Sequence, residues 1–463
     1  MKKIALLTIA AMSLLLGGCD DKLNIPPKEQ LVLSTVEEYA ALLDKRYLLL
    51  YDTQLPWGAS FDAGNYTSTV VGNDYLFDKV NYLGLDTYNR MVDFKTTMLY
   101  TYCYQRIARY NIIIDNVDDA IGSEGEKRKA KAEALLLRAY NYFVLVNTFS
   151  KHYNKATAHT DGGLLIRTKF SLEEDPAQSS VADVYKQIEG DIAQAMPSLG
   201  AFGINVNHPG LAFAYALLAK VHLFKQEFDK AEEAALKSLN LNRYLFDWVA
   251  WDQGGKPVPE IGYNNEENLY FGYGTGMTPS AFIGPHLVKK YGKGDLRKER
   301  FFWNINTSAL DGCFRFRGYV DVVNGLNVTR SYKVNVGGMR VSEVMLMLAE
   351  CYARSGKVSE AMALVNEIRA KRILPESYVP LVAANKQEAF NHVMDERSRE
   401  LVLTANNFYD IRRLEVEGIH QSVDRVLPDG TTYTVRSNSH VFVMPFPQEA
   451  IDRSVHLKQN VDK

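Results

Sequence analysis

Two stretches of this chain carry the same helix–turn–helix pattern, and they stand far apart. LAFAYALLAKVHLFKQEFDKAEEAALKSL fills 211–239, and VSEVMLMLAECYARSGKVSEAMALVNEI fills 341–368. Setting Ala219 on Ala349 also sets Ala231 on Ala361. In each stretch, apolar residues recur at three- and four-residue spacing on both sides of a short polar turn. Small alanines at matching places predict sites where two helices cross closely. Helices with one apolar stripe must bury it against each other, so the predicted fold is mainly α.

These pairs resemble the tetratricopeptide repeat, which implies a scaffold of stacked helical pairs. Their wide separation breaks any continuous array, so other material is inserted between them. Further helical periodicity is present. Ser34-Thr35 predicts a cap on a helix through Arg46. Residues 96–120 predict a long tyrosine-rich helix, Ser123 to Lys127 a turn, and the following residues a helix to about Asn147. Val181 to Met196 predicts another, stopped by Pro197. Leu135, Ala139, Tyr142, Val146 and Phe149 share one stripe, a core face. Arg138 beside them predicts a carboxylate partner or capped backbone carbonyls. Glu396, Arg397, Arg399 and Glu400 stand at i,i+3 and i,i+4 spacing, which predicts helical ion pairs rather than acid–base catalysis. Asp410, Arg412 and Arg413 carry the same expectation.

The inserted material differs in kind. Residues 50–95 hold Trp57, Tyr66, Tyr75, Tyr82 and Tyr88 among Gly, Asn and Asp. Residues 247–340 hold Trp248, Trp251, Tyr263, Phe271, Tyr273, Tyr291 and Trp303 in a similar setting. Such stretches predict loops with short strands, and loops this long are usually functional.

The N-terminus predicts a compartment. Residues 1–18 read MKKIALLTIAAMSLLLGG, a basic start and a short apolar run, the pattern of a secretory leader. Leu16-Gly17-Gly18-Cys19 follows and resembles a bacterial lipobox, which implies lipidation of Cys19. Two or more acyl chains on one residue give stable membrane anchoring. Asp20-Asp21 resembles the surface-export signal of Bacteroidetes lipoproteins. The expected layout is a leader at 1–18, a lipidated flexible tether at 19–30, and one domain at 31–463 with loop-rich insertions at about 50–95 and 247–340. Of the remaining cysteines, Cys103 and Cys351 sit among apolar helical neighbours and predict buried, unpaired thiols; Cys313 is the third.

Composition excludes several functions. Lys+Arg number 53 against Asp+Glu 55, and no basic run occurs, which argues against nucleic acid as a partner. No His-Glu-x-x-His, Cys-x-x-Cys or Gly-x-Ser-x-Gly occurs, and the histidines do not fall at ligand spacing, so no metal, cofactor or nucleophile is expected. Gly272-Tyr273-Gly274-Thr275-Gly276 lacks the remaining features of a dinucleotide loop. Glu266-Glu267 carries no glycosidase motif. A binding protein without turnover is the expectation.

Five segments in order resemble the SusD/RagB family of nutrient-binding outer-membrane lipoproteins. They are AEALLLRAYNYFVLVNTFS at 132–150, ALLAKVHLFKQEFDKA at 216–231, MRVSEVMLMLAECYARSGKVSEAMALVNEIRAKR at 339–372, MDERSRELVLTANNFYDIRRL at 394–414, and VFVMPFPQEAI at 441–451 with the terminal LKQNVDK. Two departures occur: Thr404-Ala405-Asn406-Asn407 replaces the usual Glu-Gly-x-Arg, and Asn460-Val461-Asp462-Lys463 replaces Asn-Pro-Gly-Tyr. The resemblance implies a cell-surface protein that captures an oligosaccharide and passes it to a SusC-like TonB-dependent transporter. It also implies a ligand surface on both insertions. Sugars offer apolar C–H faces to aromatic rings and hydroxyls to polar side chains. The expected platforms are Trp57, Tyr82, Tyr88, Trp303 and Tyr273, with Asn89, Arg90 and Arg315 as polar partners. A peptide or other nutrient as cargo, or an assembly scaffold without a small ligand, remains an alternative.

Overall fold

Caps and turn chemistry set where the helices begin and how they fold back. A computed structural model describes residues 33–43, 54–64, 76–92, 94–171, 173–254, 265–272, 282–304, 314–316, 319–323, 326–330, 335–427 and 429–460. The longer helices are α1 (Met98–Asn116), α2 (Glu124–Phe149), α3 (Val181–Ala195), α4 (Leu211–Phe224), α5 (Phe228–Leu241), α6 (Val341–Ser355), α7 (Val358–Ala370), α8 (Lys386–Glu400) and α9 (Asn406–Val416). Helix α4 packs on α5, α6 packs on α7, and α5 packs on α6. Two pairs distant in sequence therefore stack side by side. Ala219, Ala231, Ala349 and Ala361 are all buried, as their alignment predicts. The turns correspond as well. Gln226 and Gly356 occupy aligned positions, both in the left-handed region, with φ of 61° and 83°.

Helix α2 is the axis of the main core. Every residue from Ala132 to Phe149 is buried, not only the predicted stripe, because α1, α3 and α4 flank it. Its polar groups are satisfied in place, as buried polar groups require. Arg138 forms the expected carboxylate pair, with Nε and Nη2 at 2.8 and 2.7 Å from the Asp191 oxygens. Asn141 and Asn147 donate to carbonyls one turn back, and Tyr185 donates to Asn147 Oδ1 at 3.0 Å.

Two helix boundaries differ from the sequence expectation, one at a start and one at an end. Ser123 accepts from the Glu126 N–H and caps α2, so residues read as a turn form its first turn. The capping box of Thr35 and Glu38 is present, but its helix spans Val36–Ala40, with turns to Leu43. Residues 44–46 lie outside the described residues.

The second insertion holds short strands, as predicted. Strand β3 (Asn268–Tyr270) pairs with β9 (Met339–Arg340) and closes its base. Between them, β4 (Phe282–Ile283), β6 (Phe314–Phe316) and β5 (Phe302–Asn304) form a sheet in the order β4-β6-β5, and β7 (Tyr319–Val323) pairs with β8 (Leu326–Arg330). Earlier in the chain, β1 (Gly162–Leu165) pairs with β2 (Gln178–Ser180). Cys103 and Cys351 are free and buried, and burial pushes their thiols up to about 11 and about 12. Cys19 and Cys313 lie outside the described residues. No described helix is long and apolar enough to cross a membrane.

Candidate functional site

Loops that are to hold a ligand must first be fixed to the scaffold. Apolar packing supplies one fixing. A satellite cluster gathers Trp57 and Ala63 from the first insertion with Trp248, Trp251, Ile283 and Tyr291 from the second. At its edge Ala63 forms an antiparallel bridge with Ile283, and the Gly284 N–H donates to the Asp62 carbonyl at 2.9 Å. The two aromatic-rich insertions therefore meet. Arg425, in a hairpin strand spanning Ser422–Val426, donates to the Ala63 and Ser60 carbonyls at 2.6 and 2.7 Å.

Charge supplies the other fixing. Arg372, fully buried, donates to Glu400 at 3.1 and 3.0 Å, to Glu267 at 3.2 Å, and to the Phe246 carbonyl at 2.5 Å. Arg297 binds Asp295 and Glu396 at 2.7 Å and Glu400 at 3.0 Å. Although burial alone would raise its carboxyl, the Arg372, Arg340 and Arg297 guanidiniums hold Glu400 well below the usual carboxylate range. A second group joins Arg413 to Glu350 and Asp410, and Arg397 to Asp410. Burial opposes ionisation there too, yet Arg413 and Arg354 hold Glu350 down to about 2. Intrahelical pairs exist, Arg399 with Glu396 and Arg413 with Asp410, but most partners lie on other elements. That corrects the expectation of local helical pairs: buried charges find partners across the fold. Arg412 departs furthest. Among the described residues it has no carboxylate partner; it donates to the Ser150 carbonyl, and burial lowers it to about 10.

The expected ligand residues separate into three groups. Trp57 is buried in the satellite cluster, so its ring is unavailable for stacking. Arg90 is buried beneath a backbone turn, donating to Asn81 Oδ1 at 2.9 Å and the Val443 carbonyl at 2.7 Å; it clamps the C-terminal segment and is no ligand partner. Tyr82 is half-buried, with the Arg425 guanidinium 4.2 Å from its ring centroid, so one face is taken. Tyr88 is half-buried against the main core, while Asn89 is exposed and accepts the Met91 N–H at 2.9 Å. Strand register sets Trp303 opposite Arg315 on β5 and β6. Tyr273 lies outside the described residues. Sequence periodicity missed Asp62 altogether. It is buried, and desolvation pushes it up to about 6 against the opposing pull of Lys290, Arg425 and the Ser398 hydroxyl.

Several histidines contact carboxylates, among them His208 with Glu133 at 2.7 Å, and one group brings a histidine between two glutamates. Glu189, His222 and Glu227 bring donor atoms within 4.8 Å of one another. The Lys225 ammonium stands 2.6 Å from Glu189 and 3.3 Å from Glu227 and already compensates them.

Two family models match this architecture. Residues 25–223 match the model described as starch-binding, associating with the outer membrane, and residues 303–462 match that of the SusD family. The chain belongs to the SusD/RagB family. Within that family, SusD-like protein P38 of Formosa agariphila is 23% identical over 89% of this chain and 92% of its own length. A SusD superfamily protein of Bacteroides vulgatus superposes with a TM-score of 0.72 at 18% identity, covering 92% of this chain and 99% of that one. A laminarin-binding SusD-like protein superposes with a TM-score of 0.62 at 20% identity, covering 93% and 99%. The likenesses establish the SusD fold for this chain. Residues 57–90 and both Trp303 and Arg315 fall inside the matched segments, whereas 224–302 lies between them.

Proposed function

We propose that this chain is a lipid-anchored cell-surface protein that captures an oligosaccharide and delivers it to a SusC-like TonB-dependent transporter, without catalytic turnover. The observation that carries the reading is the junction of both aromatic-rich insertions at Ala63 and Ile283 in a chain of the SusD family. A binding surface built from two distant loops needs such a joint. The family description as starch-binding and the laminarin-binding neighbour support a glycan as cargo. Cys19, at the end of a leader over 1–18, is the proposed lipid acceptor, and 19–30 the tether that leaves 31–463 free to reach its transporter. Trp303 is the proposed stacking platform and Arg315 its polar partner, with Tyr273, Tyr82, Tyr88 and Asn89 as further proposed ligand contacts.

A glycan array followed by calorimetric titration tests the reading. Trp303→Ala should weaken binding by about 1–3 kcal/mol, roughly 5- to 150-fold, with an unchanged melting temperature. Failure of the wild-type protein to bind any neutral or charged glycan would sink the proposal. Destabilisation with unaltered affinity would remove Trp303 from the site.

A further inference from the structure

Away from the insertions, a groove of about 350 Å³ lies between α1, the loop that follows β1, and residues 447–454. That volume is within the range of about 300–1,000 Å³ typical of ligand clefts. Its floor is aromatic. The rings of Tyr100 and Tyr104 stand 4.8 Å apart, and Tyr100 is wedged edge-on against Phe149 and Phe446. Phe170 forms a wall and remains 48% exposed.

The loop carrying Phe170 is held by its backbone. Tyr104 donates to the Leu165 carbonyl at 3.0 Å, and Tyr142 to that of Arg167 at 2.8 Å. Asn111 donates to the carbonyls of Arg167 and Lys169 at 3.0 and 3.1 Å, and Arg138 to that of Thr168 at 3.0 Å. The Phe170 N–H is taken by Asp115 at 2.9 Å. Buried groups from α1 and α2 thus fix the loop, and its side chains at 167, 169 and 170 line the groove. Such preorganisation lowers the ordering cost of binding.

The lining is also unbalanced in charge. Among the described lining residues Arg167, Lys169 and Arg453 face it with Glu449 as the single carboxylate, and Glu449 is already paired with Arg453. Arg167 spends one N–H on the Glu174 carbonyl at 2.5 Å. Two cations are left over a floor of aromatic rings, with the amide of Gln105 and the hydroxyls of Thr101 and Ser171 beside them. Rings suit the apolar face of a pyranose, amide and hydroxyl groups its hydroxyls, and a guanidinium and an ammonium an anionic substituent. The geometry points to a second saccharide site on this chain, a groove that takes a pyranose bearing a carboxylate or a sulfate. The class of ligand rests on the carbohydrate-binding reading above; the charge preference rests on the groove alone.

Titration of the purified protein with oligogalacturonate, oligomannuronate and carrageenan tetrasaccharides tests it, with neutral laminarihexaose and a glutamate-rich peptide as controls. At least one anionic sugar should bind, more weakly as salt rises. The exposed variant Lys169→Gln, and separately Phe170→Ala, should each weaken that binding about tenfold or more at unchanged melting temperature. Uronate against sulfate binding separates the two sources of charge. Anionic binding untouched by these variants, or equal binding of the peptide, overturns the groove. Neutral glucan binding without any anionic binding also overturns it while leaving the proposed function standing; no glycan binding of either kind removes both.

Discussion

Asp62 stands where the first insertion touches the second, and its carboxyl is the least compensated acid described there. Burial drives its pKa up to about 6, and Lys290 and Arg425 pull it back only in part. The unfolded chain titrates near the ordinary value of about 3.9. Between about pH 4 and 6 the folded state therefore holds the extra proton, so this residue's contribution falls as pH rises through that window and stays low above it. Asp62→Asn remains neutral throughout. It should match the wild type near pH 4 and exceed it by about 1–3 kcal/mol at pH 7.5. Denaturant unfolding at both pH values decides the matter, and an equal difference at the two would show that the carboxyl is not perturbed.

At the level of elements, the aligned turns of the two helical pairs differ in one respect. Gly356 adopts its left-handed conformation without a side chain to resist it, whereas Gln226 carries a Cβ in the same conformation. Gln226→Gly should stabilise the protein by about 0.5–1 kcal/mol, and Gly356→Gln should cost a similar amount. Paired melts of the two variants check the sign; shifts in the same direction would break the equivalence of the turns. Helical periodicity made α4 to α7 legible because each needs only one apolar face and a turn. It was less informative for α2, which is enclosed on every side, since a fully buried helix loses the contrast on which periodicity depends. The loops were legible as loops but not residue by residue. Aromatic and polar composition is the same whether Trp57 stacks on a ligand or packs into the satellite cluster, and only tertiary contacts separate the two. The role of Arg90 is hidden for the same reason, because its backbone acceptors, the Val441 and Val443 carbonyls, stand more than 350 residues away. The groove beside α1 left no mark in any motif; it arises from three segments that are remote in sequence.

Across the whole molecule, one buried seam of charge joins the second insertion to the helical scaffold. Arg372 on the scaffold side meets Glu267 and the Phe246 carbonyl, and Glu400 on α8 is shared with Arg297 and Arg340. Arg372→Met should destabilise the protein by about 3–5 kcal/mol, because Glu267 and Glu400 would remain buried with less compensation. Equilibrium unfolding measures this, and a loss below about 1 kcal/mol would mean that the seam is solvated. The timing of assembly follows from the same contacts. Two of the partners of Arg372 stand 105 and 126 residues away, whereas α4 with α5 and α6 with α7 close over a few residues. Loop-closure entropy delays distant contacts, so the helical pairs form early and the seam locks after the rate-limiting barrier. Arg372→Met will then hasten unfolding in stopped-flow experiments while leaving the refolding rate nearly unchanged, and the seam will act as a brake on escape from the native state rather than as a guide toward it.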